Sequence, residues 1–320
     1  MSIKLKSFSS IKNKLILAFL SLILISLVCV GFFVNNKVIK ESQKDYTKSV
    51  ENQVQQVDNN LNNYISLIEE NTNMFAKLSI ITQLDSRITS YVDKKGVNGK
   101  VEMKPLDTNT YEAEVYTLFE TFVQTHPEVE SAFIGVKENG GYLQYPDSSR
   151  PDGYDPRGRE WYKLSVDNPD KVSFSDVYTT KGGDMVVSAV APVKDVNNDI
   201  KGIIGFDINL SKLSELVKNI SIGDEGYIIL TDKNGDILSN PKDKDSISKP
   251  ISNLNIEKLK NITTLSEEPF NEKLGSKDYW VSVKQSTNSN LQWKYIIFIE
   301  KSEFLKTAKS IGIILSLIHI

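Results

Sequence analysis

The apolar residues of this chain fall into blocks with different periods. From Leu15 to Val34 nearly every position is Leu, Ile, Val or Phe, interrupted by Ala18, Ser21, Ser26, Cys29 and Gly31. A helix of that length spans about 30 Å, enough to cross the hydrocarbon core of a bilayer. The block is long for a signal-peptide h-region, and Val30-Gly31-Phe32-Phe33-Val34 makes a poor small-x-small cleavage site. A retained anchor is therefore expected. Between Lys37 and Leu78 there is no Pro or Gly, and apolar residues recur at Val50, Val54, Val57, Leu61, Tyr64 and Ile68, then at Phe75 and Leu78. That period predicts a long amphipathic stalk helix leaving the membrane. Its seam can pack on the chain's own domain or on the same helix of a second copy, and a homodimer is expected.

Beyond the stalk, the polar stretch Lys94–Asn109 reads as a loop and Tyr111–Thr125 as a helix, ended at His126-Pro127. The period then changes to that of strands. Ser131–Val136 and Gly141–Pro146 flank Asn139-Gly140, the strongest short hairpin signal. Strands are predicted over Val172–Tyr178, Asp184–Val193 and Gly202–Leu210, followed by a short helix over Ser211–Asn219 and a linker at Ser221–Asp224. The hairpin pattern recurs at Tyr227–Pro241, with Asn234-Gly235 and Pro241 in the places of Asn139-Gly140 and Pro146, and two more strands follow at Asp278–Lys284 and Gln292–Glu300. Two similar modules in series are expected, of α+β class, each an antiparallel sheet flanked by helices. The proximal aromatics Tyr279, Trp280 and Trp293 fall on core and strand positions.

The chain ends on a second apolar block, Ile311–Ile320, which reads as the first part of another membrane helix or as a buried terminal helix. The expected division is residues 1–14 cytoplasmic, 15–34 membrane helix, 35–80 stalk, 81–219 distal module, 220–305 proximal module and 306–320 second membrane helix. Lys4, Lys6, Lys12 and Lys14 precede the first block with no acid among them, which predicts a cytoplasmic N-terminus and an extracellular body.

Composition narrows the function. A net charge of −3 gives no footprint for nucleic acid. One cysteine excludes an intrachain disulfide, two histidines leave little for a metal site, and no cofactor motif is present. Asp152, Asp155 and Asp184 could be imagined as acid–base carboxylates and Ser188 as a nucleophile, but no histidine stands near them in sequence and no G-x-S-x-G occurs. A non-enzymatic protein is expected.

The densest chemistry lies in Tyr154-Asp155-Pro156-Arg157-Gly158-Arg159-Glu160-Trp161-Tyr162, where aromatics stand beside guanidinium groups suited to an anion. Arg157 and Glu160 read as a solvated or structural pair. This phrase, the anchor, the stalk and the paired modules resemble the double Cache sensor domain of bacterial transmembrane receptors. Most of these are methyl-accepting chemotaxis proteins; others are sensor kinases or cyclic-dinucleotide enzymes. Tyr154, Arg159, Trp161, Tyr162, Tyr178 and Asp207 match the pattern of the amino-acid-binding subgroup. The resemblance implies that Arg159 and Trp161 hold a ligand's carboxylate, and that Tyr178 and Asp207 hold its α-ammonium. Thr180 stands where many such receptors carry a further aspartate, which leaves a non-amino-acid ligand as an alternative.

Overall fold

A computed structural model describes residues 11–180, 183, 185–210, 222, 225–262, 268–288, 290–304 and 306. The helix expected over 211–219, most of the linker at 221–224 and the apolar block at 311–320 lie outside the described residues.

One helix, α1 (Ile11–Ala76), runs unbroken through the apolar block and the stalk. Nothing in its sequence interrupts the hydrogen-bond ladder except Gly31, which helices tolerate. The Leu15–Val34 side chains are exposed, whereas Val50, Val54, Asp58, Leu61, Ile65, Ile68, Thr72 and Phe75 are buried. The buried stripe follows the predicted seam, except that Asp58 and Ile65 go inward where Val57 and Tyr64 were expected to lead. Val57 and Tyr64 flank the stripe half-buried. The seam packs on the chain's own sheets.

A one-turn helix α2 (Ser79–Thr82) ends the stalk, and the supposed loop beyond it contains a short strand, β1 (Lys100–Val101). Helix α3 (Thr110–Thr125) is capped by the Asn109 side chain, which accepts from the Glu112 N–H at 3.0 Å. The first sheet is built from β2 (Val129–Val136), β3 (Tyr142–Tyr145), β5 (Ser173–Phe174), β6 (Tyr178–Thr179), β7 (Met185–Lys194) and β8 (Ile200–Asn209). Between β3 and β5 lie β4 (Arg150–Pro151), which pairs with β1, a 3-10 turn (Pro156–Gly158) and helix α4 (Glu160–Asp167). The strand expected over Val172–Tyr178 is two short pieces: β5 pairs with β7 at Val190 and Ala189, the chain bends away, and Tyr178 rejoins β7 at Val186.

The second sheet comprises β9 (Tyr227–Thr231), β10 (Ile237–Ser239), β11 (Phe270–Leu274), β12 (Lys277–Gln285) and β13 (Lys294–Glu300). Strand β11 escapes a hydropathy reading because it is an edge strand with Asn271, Glu272 and Lys273 at its centre. Among the described residues the two sheets have the same order, β3-β2-β8-β7-β5 and β10-β9-β13-β12-β11, all neighbours antiparallel. Both Asn-Gly turns place glycine at positive φ, +66° at Gly140 and +91° at Gly235.

The stalk is tied to both sheets. Phe75 meets Phe122 of α3 and Phe206 of β8 at ring-centroid distances of 4.7 and 5.1 Å. Lower down, the buried Asp58 carboxylate accepts from Ser286 Oγ (2.6 Å), the Thr287 N–H (2.9 Å) and the Tyr295 phenol (3.0 Å). Burial alone would raise its pKa, but these hydrogen bonds together hold it below the usual aspartate range. Asp58 therefore stabilises the fold above the ordinary aspartate pKa, and the contribution is lost as pH falls through the lowered value. Asp58→Ala should cost about 1.5–3 kcal/mol at pH 7 by stranding the donors. Urea unfolding at pH 7 and pH 3 checks this; an equal deficit at both would show that the charge plays no part.

Candidate ligand-binding site

The site grows out of the register of the first sheet. Ser131 of β2 and Ser188 of β7 both sit directly opposite Asp207 of β8. Directly paired residues share a face, so the three side chains form a row across three strands. Both serine hydroxyls donate to the Asp207 carboxylate at 2.6 Å, and the Tyr178 phenol adds a third bond at 2.7 Å. Asp207 lies within β8. It is almost completely buried, and burial raises its pKa above the usual aspartate range against the pull of the three hydroxyls and of Arg150. The Tyr178 phenol is pushed up by its own burial and then by the neighbouring carboxylate.

Along β8 side chains alternate between faces. Gly205 lies on the same face as Asp207, opposite Phe133, whose ring would collide with a side chain there. Phe133, Tyr142 and Gln144 continue this face on β2 and β3, and α4 closes it. The Asp155 side chain accepts from the Arg157 N–H at 3.0 Å and turns the chain into α4. Arg159 takes the position just before that helix, and Trp161 lies 4.7 Å from the Phe133 ring.

Between these walls is a cavity of about 330 Å³ whose lining includes Ser131, Tyr142, Gln144, Arg150, Tyr154, Arg159, Trp161, Tyr178, Thr180 and Asp207. A neighbouring recess of about 760 Å³ shares Arg159, Trp161, Tyr178 and Thr179 with it. Six of the seven residues singled out in the sequence are thus brought together. Tyr162 is not on the lining; it is buried behind Trp161, at 5.6 Å between rings, and desolvation pushes its phenol up to about 12. Nor does Arg157 pair with Glu160. It is bound to Asp155 at 2.8 Å and to the Lys137 carbonyl at 3.2 Å, which ties the turn to the β2–β3 hairpin.

Ser131, Gln144 and Arg150 are lining residues that motif matching passes over. Ser131 and Ser188 are hydroxyls inside otherwise apolar strand runs, and three of the four arginines in this lysine-rich chain lie between 150 and 159. Those are signals, but only the strand register shows what they converge on. Tyr154 is a half-buried wall residue; burial raises its phenol while Arg150 and Arg159 oppose the rise.

A family model for the Cache domain matches residues 35–308. The chain belongs to the double Cache family. Of curated relatives, methyl-accepting chemotaxis protein McpA of Bacillus subtilis (strain 168) is 25% identical over 235 residues, covering 73% of this chain and 32% of its own length. The chain therefore spans about a third of that relative. Among solved structures, the ligand-binding domain of Mlp24 with asparagine aligns at a TM-score of 0.60 with 18% identity, covering 84% of this chain and 98% of that one. The ligand-binding domain of the Pseudomonas fluorescens chemoreceptor CtaA in complex with L-serine aligns at 0.59 with 21% identity, covering 82% and 99%. These likenesses show that the chain shares the double Cache fold of those ligand-binding domains.

Burial in the double Cache cavity disfavours the ionised form of Asp207 in the folded state. Its raised pKa means that its contribution to stability is full below the unfolded pKa and is lost as pH rises through the folded value. Asp207→Asn should thus stabilise the unliganded protein by about 0.5–2 kcal/mol at pH 7. The Tm gap from wild type should close on acidification, and a gap that is absent or widens in a pH series of melts would contradict this assignment.

Proposed function

We propose that this chain is the sensing region of a transmembrane chemoreceptor that captures a small amino acid, or a similar amine–carboxylate metabolite, in the cavity on the first sheet. The observation that carries this is Asp207, a buried carboxylate with a raised pKa whose three partners are all hydroxyls, in the same cavity as Arg159. An anion in that position is stabilised by a cationic guest, and an ammonium group supplies both the charge and donors. Arg159 makes no ion pair among the described residues. Its forked donors, with the Trp161 indole N–H, suit the carboxylate of the same guest. Tyr154 and Tyr178 supply apolar walls with polar tips, and the cavity volume is that of a small-molecule site. Thr180 on the lining contributes a hydroxyl and no second charge beside the ammonium. Solved domains of the same fold hold asparagine and L-serine, which supports this ligand class.

The membrane side of the proposal rests on α1. The most apolar 18-residue window of this helix has a mean hydropathy of 2.9 and none of it is buried, so lipid is the solvent that suits it. With the lysine-rich N-terminus cytoplasmic, the sheets stand outside the cell and α1 carries their displacement inward. A ligand drives this to the extent that it binds two arrangements of cavity and helix unequally. The sensing region would then act without catalysis, the output lying elsewhere in the receptor.

Calorimetric titration of the 320-residue chain in lipid nanodiscs with the twenty L-amino acids tests the proposal. One or a few should bind, and Arg159→Ala and Asp207→Ala should each lose about 2–5 kcal/mol of affinity by leaving one ligand charge unpaired. Absence of heat with every amino acid, or binding that survives both substitutions, would rule out this ligand assignment.

A further inference from the structure

The cavity holds a second cation, a buried one, that the capture of an α-amino acid's two main-chain charges does not use. Arg150 is 7% exposed. Its backbone is pinned by the β1–β4 ribbon, where it pairs with Val101. Its guanidinium lies over the Tyr142 ring at 4.7 Å and the Tyr154 ring at 5.4 Å. Its hydrogen-bond acceptors are neutral: Nη2 donates to Gln144 Oε1 and to Ser148 Oγ, the latter at 3.0 Å, and the buried Nε has no partner among the described residues.

The acids near it are otherwise engaged. Asp207 is held by its three hydroxyls, Asp147 accepts from the Tyr116 phenol at 2.6 Å, and Glu130 accepts from the Asn209 amide at 2.8 Å. Among the described residues no ion pair joins Arg150 to any carboxylate. Burying a guanidinium without a counter-ion is costly, and an idle donor on that group adds to the cost. A planar fork walled by two aromatic rings offers its N–H edge in the guanidinium plane, the geometry that suits a carboxylate.

We infer that Arg150 reads the ligand's side chain and that the preferred ligand carries a second carboxylate, as in an acidic amino acid. The inference rests on the proposed capture of the α-ammonium and α-carboxylate in the same cavity. Gln144 positions the fork: its Oε1 also accepts from the Tyr142 phenol at 2.9 Å, so fork, amide and phenol form one chain of contacts on the cavity wall. Arg159 and Arg150 then divide the two carboxylates of the guest, and Asp207 takes its ammonium.

The test is calorimetry on the same chain in nanodiscs with L-aspartate, L-glutamate, L-asparagine, L-glutamine and L-alanine. Wild type should favour at least one acid over its own amide by roughly tenfold or more, a comparison that needs no variant. Arg150→Met should weaken binding of that acid by roughly 30-fold or more, the usual effect of stranding one partner of a buried charge pair. It should leave L-alanine, or the amide, within a few-fold of wild type. Arg150→Lys, which keeps the charge and loses the fork, should fall between. Binding of neutral amino acids equal to or tighter than that of the acids would overturn the role of Arg150 and leave the amino-acid reading standing. Acid binding that Arg150→Met leaves intact would do the same. Binding of none of the five, with none of the remaining L-amino acids binding either, would remove the amino-acid reading itself, and this inference with it.

Discussion

The alternation of side chains along β8 is the constraint on which the rest depends. Asp207 faces the cavity, while Phe206, its neighbour in sequence, faces the helices and touches Phe75 of α1 and Phe122 of α3 at 5.1 and 4.5 Å. One strand thus carries a cavity-lining residue on one face and a stalk contact on the other. A strand slipped by one residue would exchange the two sets. The long register of β7, β8 and β2 resists that slip by pairing Ser188, Asp207 and Ser131 in one row.

Asp58 and Asp207 show what opposite surroundings do to the same side chain. Around Asp58 a backbone N–H joins side-chain hydroxyls as donors, and the sum outweighs burial. Around Asp207 only hydroxyls donate, and desolvation wins. The first aspartate is satisfied and fastens the stalk to the second sheet. The second is left under electrostatic load, and local instability of this kind is a common companion of a binding role.

Much of this was legible in the chain. Period separated the continuous apolar block, the stalk and the strands, because an exposed apolar run, a helix packed on a sheet and a strand within one have different spacings. The motif from Tyr154 to Trp161 marked the cavity wall. What escaped was decided in three dimensions. Tyr162 reads like Trp161 in sequence, yet α4 turns it behind the wall. Arg150 stands among turn-forming residues and gives no periodic signal; its burial comes from a ribbon formed with Lys100–Val101, fifty residues earlier. Strand β11 is polar at its centre because it is an edge, so hydropathy is silent there.

The placement of cavity and stalk on opposite faces of one sheet has an evolutionary consequence. Side chains such as Gln144, Arg150 and Thr180 can be exchanged without altering a single residue that packs on α1. The lining can therefore diversify while the fastening of the helix stays as it is. A lineage with this architecture can vary the chemistry of the lining over an unchanged packing of sheet on helix.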